Sequence, residues 1–232
     1  MLGQTARRIA DWAFGGSCFL CRGAGGKGLL CAACDADLPR LGEGLCPRCA
    51  LASPGGAPCG RCLARPPSYD ASVAALAYRF PADVLVQALK FRGELALAPM
   101  FSEILLERIS LKDRVDCVVP VPLSAKRLRE RGYNQALEIA RHVARATGAR
   151  LAPELCERVR DTPAQTTLAW AERSRNVRGA FRAPRPLKGA AVAVLDDVMT
   201  TGATLDEVAE TLKAAGAARV VNWVVARAFP PD

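Results

Sequence analysis

The stretch AVLDDVMTTGATLDE, residues Ala193 to Glu207, joins an apolar run to two adjacent aspartates, a loop of threonines around one glycine, and helix-forming sequence. The apolar run predicts a buried strand. Similar runs alternate with amphipathic segments elsewhere in the chain, which predicts a parallel sheet covered by helices on both faces. In such sheets ligands bind at the carboxyl ends of the strands. The stretch therefore predicts an α/β fold and the position of its binding site.

The elements around this stretch follow from the same hydrophobic patterns. The linker LARPPSYD precedes an ordinary α/β composition, so residues 1–66 and 67–232 are predicted as two domains. The predicted strands are residues 71–78, 115–122, 190–197 and 218–227. The predicted helices are residues 82–93, 95–109, 134–148 and 204–216. Residues 151–182 are predicted to be irregular, and long loops within compact domains are usually functional or disordered.

The loop after the aspartates has the properties of a phosphate site. A helix N-terminus offers unpaired N–H groups and a positive dipole end, and Gly202 lets the backbone close around an anion. Further hydroxyl donors are available from Thr200, Thr201 and Thr204. Asp196 and Asp197 would repel phosphate, so they suit sugar hydroxyls or a metal ion. The segment predicts a ribose 5-phosphate site, and a charged strand end with a helix cap is the alternative interpretation.

A second basic segment follows another predicted strand. In PVPLSAKRLRERGYNQ, residues 120–135, one lysine and several arginines come directly after the strand terminus. Because that terminus should open onto the same crevice, the cluster is interpreted as a second anion site, with a solvated charged face as the alternative. A third basic segment, residues 157–181, is predicted to be a long irregular loop whose arginines close over an anionic substrate.

The cysteines predict two zinc sites. Eight of the ten form four CxxC pairs within the first 62 residues, and the 13-residue spacing from Cys18 to Cys31 recurs from Cys46 to Cys59. Such pairs grip a tetrahedral metal, and four-cysteine sites are structural. The predicted ligands are Cys18, Cys21, Cys31, Cys34, Cys46, Cys49, Cys59 and Cys62. Sequential pairing fits the repeat, but crossed pairing is also open. Cys117 is predicted to be a small core residue.

Charge and motifs narrow the classes of function. The formal net charge of +9 suggests phosphate-bearing partners without choosing among them. The GxxxxGK[ST] loop of P-loop nucleotide triphosphatases is absent from the sequence. No apolar stretch approaches the length of a membrane span, and the N-terminus is a poor signal peptide, so a cytoplasmic location is expected. The single histidine, His142, is interpreted as a surface or packing residue.

The motifs together resemble a known family. AVLDDVMTTGATL is similar to the phosphoribosyl pyrophosphate (PRPP) motif of type I phosphoribosyltransferases. The whole chain resembles the ComF/GntX family, in which a double zinc ribbon precedes such a Rossmann-like domain. The supporting motifs are the four CxxC pairs, ALKFRG at 88–93, VPVPLSAKRLRERGYNQA at 119–136, and RxxxTxxQxxLxxxxRxxN from Arg158 to Asn176. Family members often have Glu-Asp at the carboxylate pair, where this chain has Asp-Asp.

The resemblance implies a role for each motif. The aspartates would bind the ribose hydroxyls, the threonine loop the 5-phosphate, and the turn after Pro122 the pyrophosphate with Mg²⁺. Residues 157–181 would be the hood loop over the substrate. The implied catalytic residues are Asp196, Asp197, Lys126 and Arg127. The implied PRPP-binding residues are Thr200, Thr201, Gly202, Ala203, Thr204, Leu123, Ser124 and Arg131. No residue in the sequence is an evident base for an acceptor.

Three functions are compatible with these features. The first is a phosphoribosyltransferase of unknown acceptor, in DNA uptake or nucleotide metabolism. The second is a protein that handles single-stranded DNA during uptake or recombination and uses PRPP only as a sensed ligand. The third is docking of a competence or recombination protein by the zinc ribbons. The sequence leaves the acceptor and the oligomeric state open.

Overall fold

The structure is a computed structural model that describes residues 16–24, 28–110, 114–161 and 177–230. Most of the predicted hood loop, residues 162–176, lies outside the described residues. The strands are β1 Ala71–Ala77, β2 Cys117–Pro120, β3 Arg150–Leu151, β4 Glu157–Arg158, β5 Phe181–Arg182, β6 Ala191–Met199 and β7 Arg219–Arg227. The helices are α1 Ala32–Ala36, α2 Gly60–Ala64, α3 Ala82–Phe91, α4 Leu97–Leu106, α5 Ala125–Arg131, α6 Gln135–Thr147 and α7 Ala203–Ala214.

Five strands form one parallel sheet in the order β1-β7-β6-β2-β3, as the alternating apolar pattern predicts. The chain leaves β2 towards β3 on one side and returns at β6 to continue towards β7 on the other. The connections therefore diverge between β2 and β6. In an open parallel sheet this divergence leaves a crevice at the carboxyl ends of the two strands.

Both faces of the sheet are covered. On one face α3, α4 and α6 pack against Leu195 and Trp223, and on the other α7 packs against Val194 and Val224. These four strand residues are buried on alternate faces of β6 and β7, as the twofold side-chain alternation of strands requires. The sheet interior therefore holds the crevice at a fixed position between two layers of helices.

The cysteine-rich segment repeats one small unit. The antiparallel bridge between Ser17 and Ala24 recurs between Leu45 and Ala52, and α1 and α2 each begin directly after a cysteine. The segment also extends the sheet, because Leu41 N–H donates to the Ala75 carbonyl at 2.9 Å across the outer edge of β1. The division at residues 66 and 67 stays a prediction, and backbone hydrogen bonds cross it.

Sequence patterns missed several short elements. Residues 125–131, predicted only as a basic segment, form α5. The region predicted to be irregular contains the end of β3 and the antiparallel pair β4 and β5. These pieces are too short to carry a hydrophobic period. The predicted strand over 190–197 extends to Met199, so Asp196 and Asp197 lie within β6 rather than at its end.

Within the described part of the chain, no helix combines the length and apolar character needed to cross a membrane.

Candidate functional site

A cleft of about 630 Å³ opens at the carboxyl ends of β6 and β2, where the connections diverge. Two of the predicted anion sites therefore open onto one cavity. The predicted site residues that line the cleft are Leu123, Arg127, Arg131, Asp196, Asp197, Thr200, Gly202, Ala203 and Thr204. Three residues of the predicted catalytic and PRPP-binding sets do not line the cleft, although the structure describes them: Ser124, Lys126 and Thr201.

The carboxylate pair meets a lysine that the sequence reading did not include. The ammonium of Lys90, in the last turn of α3, lies 2.9 Å from Oδ2 and 3.3 Å from Oδ1 of Asp197. Asp197 is only 3% exposed, so this ion pair is shielded from water on its acidic side. The motif ALKFRG contained Lys90, but only the packing of α3 on the sheet brings it to the end of β6.

The environment shifts the pKa values of the two carboxyl groups in opposite directions. Burial, followed by the charge of Asp197, raises the pKa of Asp196 well above its ordinary value. Burial would also raise the pKa of Asp197, but the charge and hydrogen bond of Lys90 outweigh it and lower that pKa. Asp197 is therefore the ionised member of the pair, and Asp196 is the member that takes up a proton more readily.

The charge of Lys90 is fixed by the same contacts. Burial would lower the pKa of Lys90, but Asp197 and then Asp196 raise it above its usual value. Lys90 therefore acts as a cation and not as a general base near neutral pH.

The loop after β6 has the geometry of an anion cradle. Gly202, at φ 87°, caps α7, which begins at Ala203. A Cβ on Gly202 would lie 2.8 Å from Met199 Cε and 3.1 Å from the Tyr69 hydroxyl, so only glycine fits without displacement. Thr201 Oγ1 accepts a hydrogen bond from Ala203 N–H at 3.2 Å, which orders the turn. The N-terminus of a twelve-residue helix thus faces the cleft.

The turn after β2 supplies the positive side of the cleft. Ser124 caps α5 by accepting a hydrogen bond from Arg127 N–H at 3.3 Å, and it is itself buried. Arg127 and Arg131 line the cleft, whereas Lys126 is exposed, lies 4.0 Å from Glu130 and is not in the lining. A helix of seven residues separates these side chains because successive residues point in different directions. Arginine from this turn, rather than lysine, therefore faces the carboxylate pair.

Three aromatic side chains also line the cleft. Tyr78 follows β1, Phe229 follows β7, and Phe91 ends α3; all three line the cavity. Phe91 is 67% exposed and Phe229 is 41% exposed, which is unusual for phenylalanine. The Arg131 guanidinium lies 5.2 Å from the centre of the Phe91 ring. No local sequence pattern places these rings together, because their elements are distant along the chain.

The eight CxxC cysteines form two clusters, and sequential pairing is confirmed. One cluster is Cys18, Cys21, Cys31 and Cys34, and the other is Cys46, Cys49, Cys59 and Cys62, each with all sulfur atoms within 4.8 Å of one another. The Sγ atoms of Cys49 and Cys59 are 3.6 Å apart, and those of Cys21 and Cys31 are 3.8 Å apart. Tetrahedral zinc with Zn–S bonds of about 2.3 Å requires sulfur separations of about 3.8 Å. Both sets therefore fit zinc.

Backbone N–H groups lower the pKa of one thiol in each cluster. Backbone hydrogen bonds from Cys21 and Cys31 lower the pKa of Cys18 to about 6. Burial would raise the pKa of Cys46, but backbone hydrogen bonds from Cys49 and Cys59 lower it to about 6. The Cys59 N–H lies 3.3 Å from Cys46 Sγ. Thiolate is the form that binds zinc, so these contacts favour metal binding.

Comparison with known proteins gives matches over most of the chain. Residues 9–63 match the family model described as a double zinc ribbon domain. The DNA utilization protein YhgH of Salmonella typhimurium is 35% identical over 221 residues, which cover 91% of this chain and 97% of that protein. Competence protein F of Haemophilus influenzae is 30% identical over 179 residues, 73% of this chain and 78% of that protein.

A solved structure also matches at low similarity. The purine phosphoribosyltransferase from Pyrococcus horikoshii is 17% identical to this chain, with a TM-score of 0.31. The match covers 68% of this chain and 88% of that protein. It is too distant to bear on the chemistry of the cleft, which rests on the residues described above.

Proposed function

The chain belongs to the family of YhgH and ComF, double-zinc-ribbon proteins, and we propose that its cleft binds PRPP and transfers the phosphoribosyl group to an acceptor. One observation carries the proposal: the sheet brings a carboxylate pair, a helix N-terminus capped by glycine, and an arginine cluster to one cavity. Those are the three partners that a sugar diol, a 5-phosphate and a pyrophosphate require. The role of relatives named for DNA utilization and competence suggests that the reaction serves DNA uptake.

Each part of the ligand has a matching set of groups. Asp197 is ionised and accepts hydrogen bonds from a ribose hydroxyl, while Asp196 lies beside it for the neighbouring hydroxyl. The N-terminus of α7 and the threonine hydroxyls receive the 5-phosphate. Arg127, Arg131 and Arg158 line the remaining side of the cleft, where planar guanidinium groups pair with phosphate oxygens. Thr201, Ser124 and Lys126 remain predicted contacts whose side chains lie outside the described lining.

The residues also fit magnesium brought in with the pyrophosphate. Magnesium prefers one or two carboxylates together with substrate phosphate oxygens. Asp197 is paired with Lys90 at 2.9 Å, so Asp196 would be the magnesium ligand, and the charge of a bound ion would favour its ionised form over the protonated one. Magnesium, when bound, supplies positive charge that stabilises the departing pyrophosphate. The protein residues proposed to share that task are Arg127 and Arg131.

The chemical step is a displacement at the anomeric carbon. The C1–O bond to pyrophosphate breaks and its electron pair leaves with pyrophosphate, while a bond forms from the acceptor, which loses a proton to solvent. The ionised Asp197 and its neighbour stabilise the positive charge that develops on the ribose ring. Lys90 orients Asp197 and remains protonated, so it positions the carboxylate rather than abstracting a proton. Most of the rate enhancement in this proposal comes from positioning.

Calorimetry tests the binding half of the proposal. We expect PRPP to bind in the presence of Mg²⁺, and the variant Asp196→Asn with Asp197→Asn to lose at least ~10-fold in affinity, since each charged hydrogen bond contributes about 1.5–3 kcal/mol. Glu154→Gln, at an exposed carboxylate outside the cleft, is the control. Pyrophosphate release with a panel of nucleobases and amines then tests transfer. Absence of PRPP binding to the native protein would refute the proposal.

A second candidate function rests on the aromatic rings. Exposed phenylalanine beside arginine is typical of surfaces on which unpaired bases stack, and Phe91, Phe229 and Arg131 form such a surface at the mouth of the cleft. The name of the DNA utilization protein favours DNA as the polymer, and stacking on exposed rings requires the unpaired bases of a single strand. On this reading PRPP is a sensed ligand and no transfer occurs.

Salt titration distinguishes the second candidate. Binding of a labelled oligothymidylate should weaken steeply as salt increases, because each phosphate contact releases counterions. Phe91→Ala with Phe229→Ala should weaken binding at every salt concentration without changing the salt slope, since the lost term is stacking. Leu63→Ala, at an exposed apolar residue elsewhere, is the matched control. Salt-independent affinity, or an unchanged affinity in the double variant, would reject the DNA surface.

A further inference from the structure

Arg227 is the last residue of β7 and has no exposed surface, although it carries a charge. Among the described residues, its guanidinium donates to four backbone carbonyls. Nε donates to Cys49 at 2.7 Å, and Nη1 donates to Met199 at 2.9 Å, to Ala228 at 2.6 Å and to Thr200. Within the described chain it forms no ion pair with a carboxylate, and Nη2 has no hydrogen-bond partner.

These bonds connect two sites that are distant in sequence. Cys49 is a ligand of the second cysteine cluster, and Met199 and Thr200 begin the loop that closes at Gly202. The planar guanidinium of Arg227 therefore links the backbone at the second metal site to the backbone of the loop between β6 and α7. Because guanidinium has a fixed fork of donors, movement of either carbonyl group would strain the bonds to the other.

The charge of Arg227 has a natural counterpart in the zinc-loaded cluster. Four thiolates around one zinc ion carry a net charge of about −2. A buried cation beside them is compensated when the metal is bound, and burying it without such a partner is costly. Zinc at the second site thus favours the position of Arg227 that also holds the loop.

A second set of contacts supports the same connection. Tyr69, in the segment that leads from the zinc region into β1, is buried with its hydroxyl against Gly202. Ser68 N–H donates to Asp206 Oδ1 at 2.6 Å in the first turn of α7. Ser72 N–H donates at 2.9 Å to the carbonyl of Pro47, which lies between Cys46 and Cys49 of the second zinc site. The second zinc site is therefore built against the loop and its helix.

The first cysteine cluster lies elsewhere. Cys18 and its neighbours Leu30 and Leu38 pack with the core on the opposite face of the sheet, together with α3 and α4. Among the described residues, no hydrogen bond joins this cluster to the loop between β6 and α7. The two zinc sites are alike in sequence and differ in what they contact.

We propose that Arg227 is a positioning residue that couples the second zinc site to the phosphate loop, so that ligand in the cleft and zinc in that site stabilise each other. The coupling rests on the proposed function only in naming a ribose phosphate as the ligand. By thermodynamic linkage, the factor by which zinc at the second site raises the affinity for ligand equals the factor by which ligand raises the affinity for zinc. The first zinc site is not coupled to ligand in the cleft.

Pulsed alkylation of the zinc-loaded full chain tests the coupling. The protein is challenged with EDTA, with or without saturating ribose 5-phosphate, and each cysteine's labelling by N-ethylmaleimide is followed by peptide mass spectrometry. We expect the ligand to slow labelling of Cys46, Cys49, Cys59 and Cys62 by about 5-fold or more, the usual lower range of coupling between sites. The four cysteines of the first site, in the same molecule, are the internal control and should not change.

The variant Arg227→Lys tests the residue itself. Lysine retains the charge but not the planar fork, so the ligand should lose its protection of the second site and bind about 10-fold more weakly, within the same range of coupling energies. Arg219→Lys, at the other end of β7, is the matched control and should behave as the native protein. A protein that merely lost stability would label faster at both sites.

The outcomes separate the coupling from the proposed function. If the native protein does not bind ribose 5-phosphate, both fail. If it binds ribose 5-phosphate but the ligand protects neither zinc site from alkylation, the coupling is wrong and the proposed function stands. The same holds if the ligand protects both zinc sites equally. If Arg227→Lys keeps the selective protection, Arg227 is not the connecting residue. The native comparison decides the coupling even if the variant fails to fold.

Discussion

The Lys90 ammonium lies 2.9 Å from Oδ2 of Asp197, which joins the last turn of α3 to β6 at the floor of the cleft. Lys90 is about one quarter exposed, whereas the Asp197 side chain is almost fully buried. The pair therefore keeps a charged carboxylate available to ligand at a place where burial would otherwise neutralise it. This relationship determines how the cleft should respond to mutation and to pH.

Lys90→Met should destabilise the protein, because it leaves a buried carboxylate without its cation. We expect a loss of about 3 kcal/mol in the free energy of unfolding at neutral pH, at the lower end for breaking a buried pair since Lys90 is partly exposed. Adding Asp197→Asn should recover most of that loss. Urea denaturation of both variants measures this, and equal stability of the single and double variants would contradict the pairing.

The loss caused by Lys90→Met should depend on pH. The pKa of Asp197 is lowered in the folded state, so the pair contributes fully above the ordinary carboxyl pKa of about 4, and its contribution falls as pH drops through the folded-state value. The pKa of Lys90 is raised, so its contribution persists up to at least about pH 10. Denaturation at pH 3, 5 and 7 should show the native-to-variant difference shrinking towards acid.

Gly202→Ala should weaken ribose phosphate binding. A methyl group there meets Met199 and Tyr69 and also requires a φ of 87°, which costs about 1–2 kcal/mol in L residues. Gly148→Ala is the matched control, because Gly148 has a φ of 73° and a Cβ there meets nothing within 4 Å. Both variants should lose similar backbone stability, and only Gly202→Ala should lose affinity in calorimetry. Equal affinities would show that the loop does not contact the ligand.

Arg127→Ala and Lys126→Ala should differ, although both positions belong to the basic turn. Arg127 lines the cleft, whereas Lys126 does not line it and lies 4.0 Å from Glu130. We expect Arg127→Ala to weaken PRPP binding about 10-fold, as for a lost charged hydrogen bond, and Lys126→Ala to change it about 2-fold or less. Calorimetry with PRPP and Mg²⁺ compares them directly. The reverse order would restore Lys126 to the catalytic role that the family resemblance implies.

Zinc removal should expose the edge of the sheet. Residues 39–41 hydrogen-bond to β1, and the segment that carries them depends on its cysteine clusters. Loss of metal should therefore free an unpaired strand edge and promote aggregation. Light scattering during a chelator titration measures this, with chelator presaturated with zinc as the control. A protein that stays monodisperse after losing both zinc ions would contradict the structural role.

Several features followed from local patterns alone. The 13-residue spacing of CxxC pairs predicted two four-cysteine sites, and the apolar runs predicted all four long strands within a few residues. Both signals are local, since a zinc knuckle and a buried strand are specified by neighbouring residues. Lys90, Phe91 and Phe229 could not be assigned in this way, because their place in the cleft depends on how α3 and β7 pack.

The sequence by itself determined the parallel α/β class, the metal ligands and the two aspartates followed by a glycine loop, because each is encoded in a short stretch of chain. Only the tertiary structure decided which charges meet. It paired Lys90 with Asp197, placed Arg127 but not Lys126 in the lining of the cleft, and buried Arg227 between a cysteine carbonyl and the loop. Such contacts join residues far apart along the chain, and their energies depend on burial that no local pattern records.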